Sequence, residues 1–258
     1  MSITSPKLLV WLQFIQHQRN NMKKSLLILT LLLLSQSVSA QLFSKEKIKN
    51  NENFDKDRWS WGFFLGLNAY DYQFNYEEDL KDILVETTTG FNVGLISNLR
   101  INDYFDLRFE PGLIITQRNL QYDPSYFNGI PYNDVDLLRE VKSTYVHFPL
   151  LLKISTKRIN NFKPFIVGGF SAAINLSSNE ENPDDNSVGE FRTKKQVTFY
   201  ELGFGIDFYL YWFKFTPSIR GVFALNDELI RDNDPNSPWT GNIASMKTRG
   251  VFLNFTFQ

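Results

Sequence analysis

Residues 197–210 read Val-Thr-Phe-Tyr-Glu-Leu-Gly-Phe-Gly-Ile-Asp-Phe-Tyr-Leu. Tyr200, Leu202, Phe204, Ile206 and Phe208 fall on one parity, and Glu201, Gly203, Gly205 and Asp207 on the other. Strict period-two alternation marks a β-strand with two unlike faces. Here one face is large and apolar, and the other mixes carboxylates with glycine.

The same reading extends outward to seven further runs. Trp59–Leu67 places Trp59, Trp61, Phe63, Leu65 and Leu67 on one face. Gly90–Ile101 gives Phe91, Val93, Leu95, Leu99 and Ile101, and Tyr104–Leu120 gives Phe105, Leu107, Phe109, Leu113 and Ile115. Tyr145–Ser155 gives Val146, Phe148, Leu150, Leu152 and Ile154. Phe162–Leu176 is ambiguous in register, with Ile166, Phe170 and Ile174 as the preferred apolar face. Trp212–Leu225 gives Phe213, Phe215, Ile219, Phe223 and Leu225, and Lys247–Gln258 gives Val251, Leu253, Phe255 and Phe257. Each of the eight is long enough to cross a bilayer as a tilted strand, which takes ~9–11 residues.

The connections alternate between long and short. Asp71–Thr89, Gln121–Glu140, Ser177–Gln196 and Asn226–Ala244 are long; Asn102–Asp103, Thr156–Asn161 and the corner near Tyr211 are short. This predicts an all-β fold, an eight-stranded antiparallel up-and-down transmembrane β-barrel of the outer-membrane type over residues 59–258. An even strand number puts both termini on the tight-turn, periplasmic side. A soluble lipocalin-like barrel is the competing eight-stranded form.

Arg100, Asp106, Arg108, Glu110, Lys153, Glu201, Asp207, Lys214 and Arg220 all sit opposite the large apolar residues. In a membrane barrel that parity faces the lumen. A soluble barrel would show the same alternation turned inside out, so periodicity alone does not choose. Three features favour the membrane. The apolar face is rich in Phe, glycines share the polar face, and Tyr104, Tyr209, Tyr211 and Trp212 lie by the short turns as an interfacial girdle would. The final Phe255-Thr256-Phe257-Gln258 adds terminal aromatic alternation. Lys247 and Arg249 share the apolar parity of the last run and are expected at or above the outer lipid boundary. Pro111, Pro149, Pro164 and Pro217 fall inside strands of a closed sheet and are expected to sit at bulges.

Before the barrel, Met22 opens a cationic stretch (Lys23, Lys24), the apolar run Leu26–Leu34 and a small-residue site ending at Ala40. This is the three-part pattern of a secretory signal peptide over 22–40, cut after Ala40; a buried core helix is the alternative. Gln41 rather than Cys follows the cut, which argues against a lipid anchor. Residues 1–21 do not fit the pattern and are read as an upstream extension from a misplaced start. Residues 41–58 form a polar, mobile periplasmic leader.

Composition excludes several functions. The chain has 258 residues and no cysteine, so disulfide scaffolds, thiolate zinc sites and cysteine nucleophiles are out. Four of the 27 basic residues and none of the 28 acidic ones precede Gln41, so the remainder is net acidic and unlike a nucleic-acid binder.

An eight-stranded barrel has an interior that side chains can fill. The inward charges are therefore expected to form an ion-paired plug rather than a gated conduit. His147, also inward, is the only histidine after residue 40. Catalysis in the manner of a lipid-modifying barrel enzyme would want a base, an acid and a serine at the outer rim, and no such set is found around it by sequence, so no catalytic residue is assigned, and no cofactor-binding or metal-binding residue either. The long loops are acidic (Glu77, Glu78, Asp79, Asp82; Glu180, Glu181, Asp184, Asp185; Asp227, Glu228, Asp232, Asp234) and are read as a solvated rim. A cation or a basic partner is the sharper alternative there; Asp232-Asn233-Asp234 lacks the rest of a calcium loop.

Several stretches resemble the PorT family of the Bacteroidetes type IX secretion system: residues 145–154 (YVHFPLLLKI), 163–170 (KPFIVGGF), 199–210 (FYELGFGIDFYL), 214–220 (KFTPSIR) and above all 225–240 (LNDELIRDNDPNSPWT). The resemblance covers most of 59–258. It implies a non-enzymatic outer-membrane barrel needed to export cargo with C-terminal sorting domains, such as surface proteases and gliding adhesins. Its partners would be outer-membrane lipid and other type IX components, with no nucleic acid or small-molecule substrate. A general structural or adhesion barrel is the alternative, and a lipid-modifying barrel enzyme a more distant one.

Overall fold

The computed structural model describes residues 49–127, 129–182, 186 and 191–258. The expected extension 1–21, the signal peptide 22–40, residues 41–48 of the leader, and Asp184 and Asp185 lie outside the described residues.

Ten strand segments follow in chain order: β1 (Trp59–Tyr76), β2 (Leu84–Thr87), β3 (Thr89–Arg100), β4 (Phe105–Phe109), β5 (Gly112–Gln121), β6 (Leu138–Ser155), β7 (Phe162–Asn175), β8 (Gln196–Tyr209), β9 (Lys214–Ala224) and β10 (Ile243–Phe257). Thr88 alone separates β2 from β3, and Glu110-Pro111 separates β4 from β5, so the ten segments make eight staves. All pair antiparallel with their chain neighbours, and β1 pairs with both β3 and β10, which closes the ring. The all-β up-and-down barrel predicted from alternation is therefore the fold.

Its apolar face points outward. Leu95, Leu202, Phe204, Ile166 and Phe170 are exposed, whereas Glu201, Asp207, Lys153 and Arg220 are buried. The ambiguous run resolves as expected, with Ile166, Phe170 and Ile174 outside. Along β1 the outward positions are apolar from Trp59 to Ala69 and polar from Asp71 onward. At ~3.4 Å per residue and a tilt near 40°, that stretch rises about 25 Å, the height of an outer-membrane apolar band.

Above that level the pattern inverts. Tyr70, Tyr72, Phe74 and Tyr76 turn inward while Asp71, Gln73 and Asn75 face out, because water has replaced lipid outside the wall. The long loops are accordingly shorter than predicted: β1 runs on to Tyr76, β2 takes Leu84–Thr87, and β6 begins at Leu138. Arg249 lies in this outer zone, its guanidinium 2.6 Å from Asp71 Oδ2, and Lys247 stands opposite Gln73.

The prolines do not sit at bulges. Ser97 faces Phe109 and Gly94 faces Gly112, so the register is unbroken across Pro111; it is equally unbroken across Pro149, Pro164 and Pro217. A proline keeps an extended φ and loses only its own N–H, so one ladder bond is missing and no residue is inserted. The slips occur elsewhere. The β1–β10 register shifts between Asn75 and Tyr76, and Thr87 faces Arg118 but Phe91 faces Ile115, which places a one-residue bulge between Thr88 and Phe91.

Inside, bulk is matched to missing side chains. The Phe64 ring lies against Gly94 and Gly112, where an added Cβ would stand 2.6 and 2.9 Å from it. Glycine is needed there for space alone, and it lets a large aromatic lie flat on the inner wall.

Two further expectations fail at the tight-turn end. Tyr104, Tyr211 and Trp212 face out, but Tyr209 is buried and belongs to the interior. Its hydroxyl donates to Asp55 Oδ1 at 2.8 Å, and the Arg158 guanidinium stacks on its ring at 3.8 Å. Residues 50–55 of the leader fold against this end: the Asn50 amide donates to Asn161 Oδ1 at 2.9 Å, and Asp55 pairs with Arg158 at 3.3 Å. Polar composition suggested a free segment, but barrel residues distant in sequence satisfy its polar groups.

Candidate functional site

The interior is filled in layers. Nearest the long loops, Tyr72, Leu120, Tyr122, Phe127, Val141, Leu229 and Met246 form a buried apolar cap across the mouth. The loop 225–242 drives it down: the Trp239 indole donates to the Asp136 carbonyl at 3.0 Å, and the Tyr122 hydroxyl to the Trp239 carbonyl at 3.0 Å.

The acidic residues of this loop are not all solvated. Asp232 is buried and accepts from Arg192 Nη2 at 3.0 Å, Ser237 Oγ at 2.5 Å and the Asn186 amide at 3.1 Å. Glu228, fully buried, accepts from the Thr248 amide at 2.7 Å and the Thr248 hydroxyl at 3.0 Å. These two carboxylates organise the cap. Exposed Glu77, Glu78, Asp79, Glu180, Glu181 and Asp234 do form a wet rim. Among the described residues no three carboxylate or histidine side chains converge on a metal site.

Burial pushes the Glu228 carboxyl above its ordinary value, against the smaller opposing pull of Arg118. A folded-state value raised above the unfolded one favours the fold at low pH, and the benefit is lost as pH rises through the folded value. Glu228→Gln is therefore expected to gain stability over the parent between pH 5 and pH 8 in urea unfolding. A difference constant with pH would refute this.

Below the cap lies Arg118, fully buried. It donates to Thr248 Oγ1 (3.0 Å), Ser143 Oγ (2.8 Å) and Tyr145 Oη (3.3 Å), and stacks 4.0 Å over Tyr72. An aromatic layer follows, with Tyr70 edge-on to Phe252 at 5.4 Å and Tyr145 to Phe199 at 6.4 Å.

The expected ionic residues come next. Arg220 Nη1 donates to Glu110 Oε2 at 2.8 Å, and its Nε lies 3.0 Å from Glu201 Oε2. Arg108 reaches Glu110 at 3.5 Å, and His147 Nε2 lies 2.9 Å from Glu201 Oε1. The Glu201 contacts are close but poorly aligned, so charge rather than directed hydrogen bonding holds that carboxylate. Lys153 Nζ meets Asp207 Oδ2 at 2.5 Å, and Thr216 Oγ1 donates to Asp207 Oδ1 at 2.8 Å. Asp106 and Lys214 are buried nearer the tight turns. Arg100 stands apart, half-buried at the rim with Asp103 at 2.6 Å, because it is the last residue before the turn.

The fold brings Ser171, 24 residues away in the chain, against His147. Ser171 Oγ is 2.8 Å from His147 Nε2, since β7 pairs with β6 and sets Ala173 opposite His147. A serine, a histidine and a carboxylate thus meet. A catalytic triad needs the acid on one ring nitrogen and the serine on the other. Here both face Nε2, and both are buried in the packed lumen. The arrangement is a polar node.

Other lumen residues escaped the sequence reading. Arg118 continues the inward parity of Thr116 by one step. Lys163 was hidden by the ambiguous register of its run. Asn68, Asn92 and Asn254 form a neutral chain, Asn68 Nδ2 donating to Asn92 Oδ1 at 2.6 Å and Asn92 Nδ2 to Asn254 Oδ1 at 3.1 Å. A search for charges passes over amides.

Solved structures with similar folds include OprG from Pseudomonas aeruginosa (13% identity, 77% of this chain and 93% of that one, TM-score 0.43) and Neisserial surface protein A (10%, 78% and 98%, 0.40). Another is AlkL in lipid bilayers (12%, 84% and 92%, 0.38). No curated protein sequence gives a significant match. The family model for the outer membrane protein beta-barrel domain matches residues 39–229. With outward apolar staves, an enclosed ionic lumen and that match over most of its length, the chain belongs to the outer membrane protein beta-barrel domain family.

Proposed function

We propose that this outer-membrane barrel is a non-enzymatic accessory component of type IX protein secretion, acting through its two closed ends. The observation that carries the reading is the filled interior. Apolar cap, ion-paired middle and leader-covered base leave no room for a polypeptide, so the work falls to surfaces that contact other components. The segment 225–240, where the resemblance to the PorT family is strongest, supports it further, because this stretch builds the cap through Glu228, Leu229, Asp232 and Thr240. A family-specific sequence is then also the one that shapes the outer face.

Deleting the gene should leave sorting-domain cargo in the periplasm and deplete it from culture fluid. The parent gene should restore export, and Asp232→Ala, which removes the carboxylate organising the loop, should restore it poorly at equal barrel levels. Unchanged export after deletion would overturn the secretion role and leave a structural or adhesion barrel.

A further inference from the structure

A depression of about 650 Å³ lies on the outer wall across β1, β3, β5 and β6. Strand register arranges its lining in two rows. In the lower row Leu67 faces Phe91, Phe91 faces Ile115, and Ile115 faces Thr144. In the upper row Thr89 stands beside the small Ala69, and Gln117 faces Lys142. All of them have outward parity. The lower row is thus largely apolar and the upper row polar.

The depression lies where the wall is interrupted. The bulge between Thr88 and Phe91 leaves Thr88 and Thr89, neighbours in the chain, both exposed on the outer surface. Side chains complete the hydrogen bonding that regular pairing would supply. The Gln117 carbonyl accepts from the Thr88 amide at 3.3 Å and the Thr88 hydroxyl at 2.7 Å. The Ile115 carbonyl accepts from Nδ2 of Asn68, a lumen residue, at 3.2 Å.

Its height identifies the occupant. Along β1, Leu67 and Ala69 are the last apolar outward residues before Asp71, so the two rows straddle the upper edge of the apolar band. The long loops of an outer-membrane barrel face the exterior, which puts this edge in the outer leaflet. The lipid of that leaflet is an acylated amino-sugar whose head carries hydroxyl, amide and phosphate groups. The polar lining matches such a head. Thr88, Thr89 and Gln117 are neutral hydrogen-bonding groups, and Lys142 is the one charged residue in the lining. Glu140 lies 3.0 Å from Lys142, but both are well exposed, and a pair of that kind is weak enough to yield to a phosphate. A phospholipid head, whose polar atoms cluster on a single phosphate, would leave most of the neutral groups unused.

We infer that this depression is a binding site for an outer-leaflet glycolipid. One acyl chain lies along Leu67, Phe91 and Ile115, the sugar meets Thr88, Thr89 and Gln117, and a phosphate meets Lys142. The inference rests on the membrane placement of the barrel and is independent of the secretion role.

Competition between lipids tests it. The full mature chain is folded in detergent and offered equimolar lipid A, phosphatidylethanolamine and phosphatidylglycerol, and native mass spectrometry identifies which lipid it keeps. The parent should keep lipid A in preference to both phospholipids. Thr89→Trp fills the depression with a side chain suited to the lipid boundary, and should cut bound lipid A by about tenfold. Gln117→Leu with Lys142→Leu retains the apolar row and removes head contacts, so the preference for lipid A should vanish while phospholipid is still held. Leu202→Trp, added bulk on the opposite wall, should change neither. Unboiled gel mobility verifies that each variant is folded, and the leucine pair carries the test if the Thr89 variant does not fold. Phospholipid kept as strongly as lipid A by the parent, parental binding by folded Thr89→Trp, an unchanged preference in the leucine pair, or an equal loss in Leu202→Trp would each overturn the inference.

Discussion

Arg220→Met is expected to destabilise the folded barrel by ~3–5 kcal/mol, the usual cost of removing one partner from a buried ionic cluster. Arg220 joins Glu110 and Glu201 and is 4% exposed. Without it, two carboxylates face each other in the lumen, supported only by Arg108 at 3.5 Å and His147 at 2.9 Å. Most of the loss comes from stranded charge, so adding Glu110→Gln and Glu201→Gln should recover much of it. Urea unfolding in lipid vesicles, followed by tryptophan fluorescence and the unboiled gel shift, reads both. A loss below ~1 kcal/mol, as for a solvated surface pair, would mean that water fills this level and that the lumen is a wet conduit.

Leu202→Arg is expected to cost ~2–4 kcal/mol, and Thr198→Arg on the same outward face of β8 ~0–1 kcal/mol. Leu202 lies among Tyr200, Phe204 and Ile206 within the apolar band. Thr198 lies at the outer end of the same row, where its hydroxyl donates to Asn226. The two changes share parity and differ only in depth. Equal costs at both positions would contradict a lipid boundary between them, and a negligible cost at Leu202 would contradict an outward apolar face.

The parities on which these predictions rest were legible without coordinates. Large outward residues on all eight runs, the inward placement of His147, Lys153, Glu201, Asp207 and Arg220, and the alternation of long and short connections follow from a side-chain period of two and a membrane that penalises outward charge. The reading was weaker where that penalty ends. From Tyr70 to Tyr76 the alternation persists but with its meaning reversed, so a strand that continues above lipid looked like loop.

Sequence alone thus determined which residues share a face over most of each strand, because the side-chain period of two depends only on neighbours in the chain. Tertiary structure alone decided who meets whom inside. Arg220 reaches Glu110 across 110 positions, His147 meets Ser171, and Tyr209 turns inward to hold Asp55 of the leader. Those meetings are set by ring closure and inter-strand register, which place residues from distant staves at one height. No local pattern encodes that height.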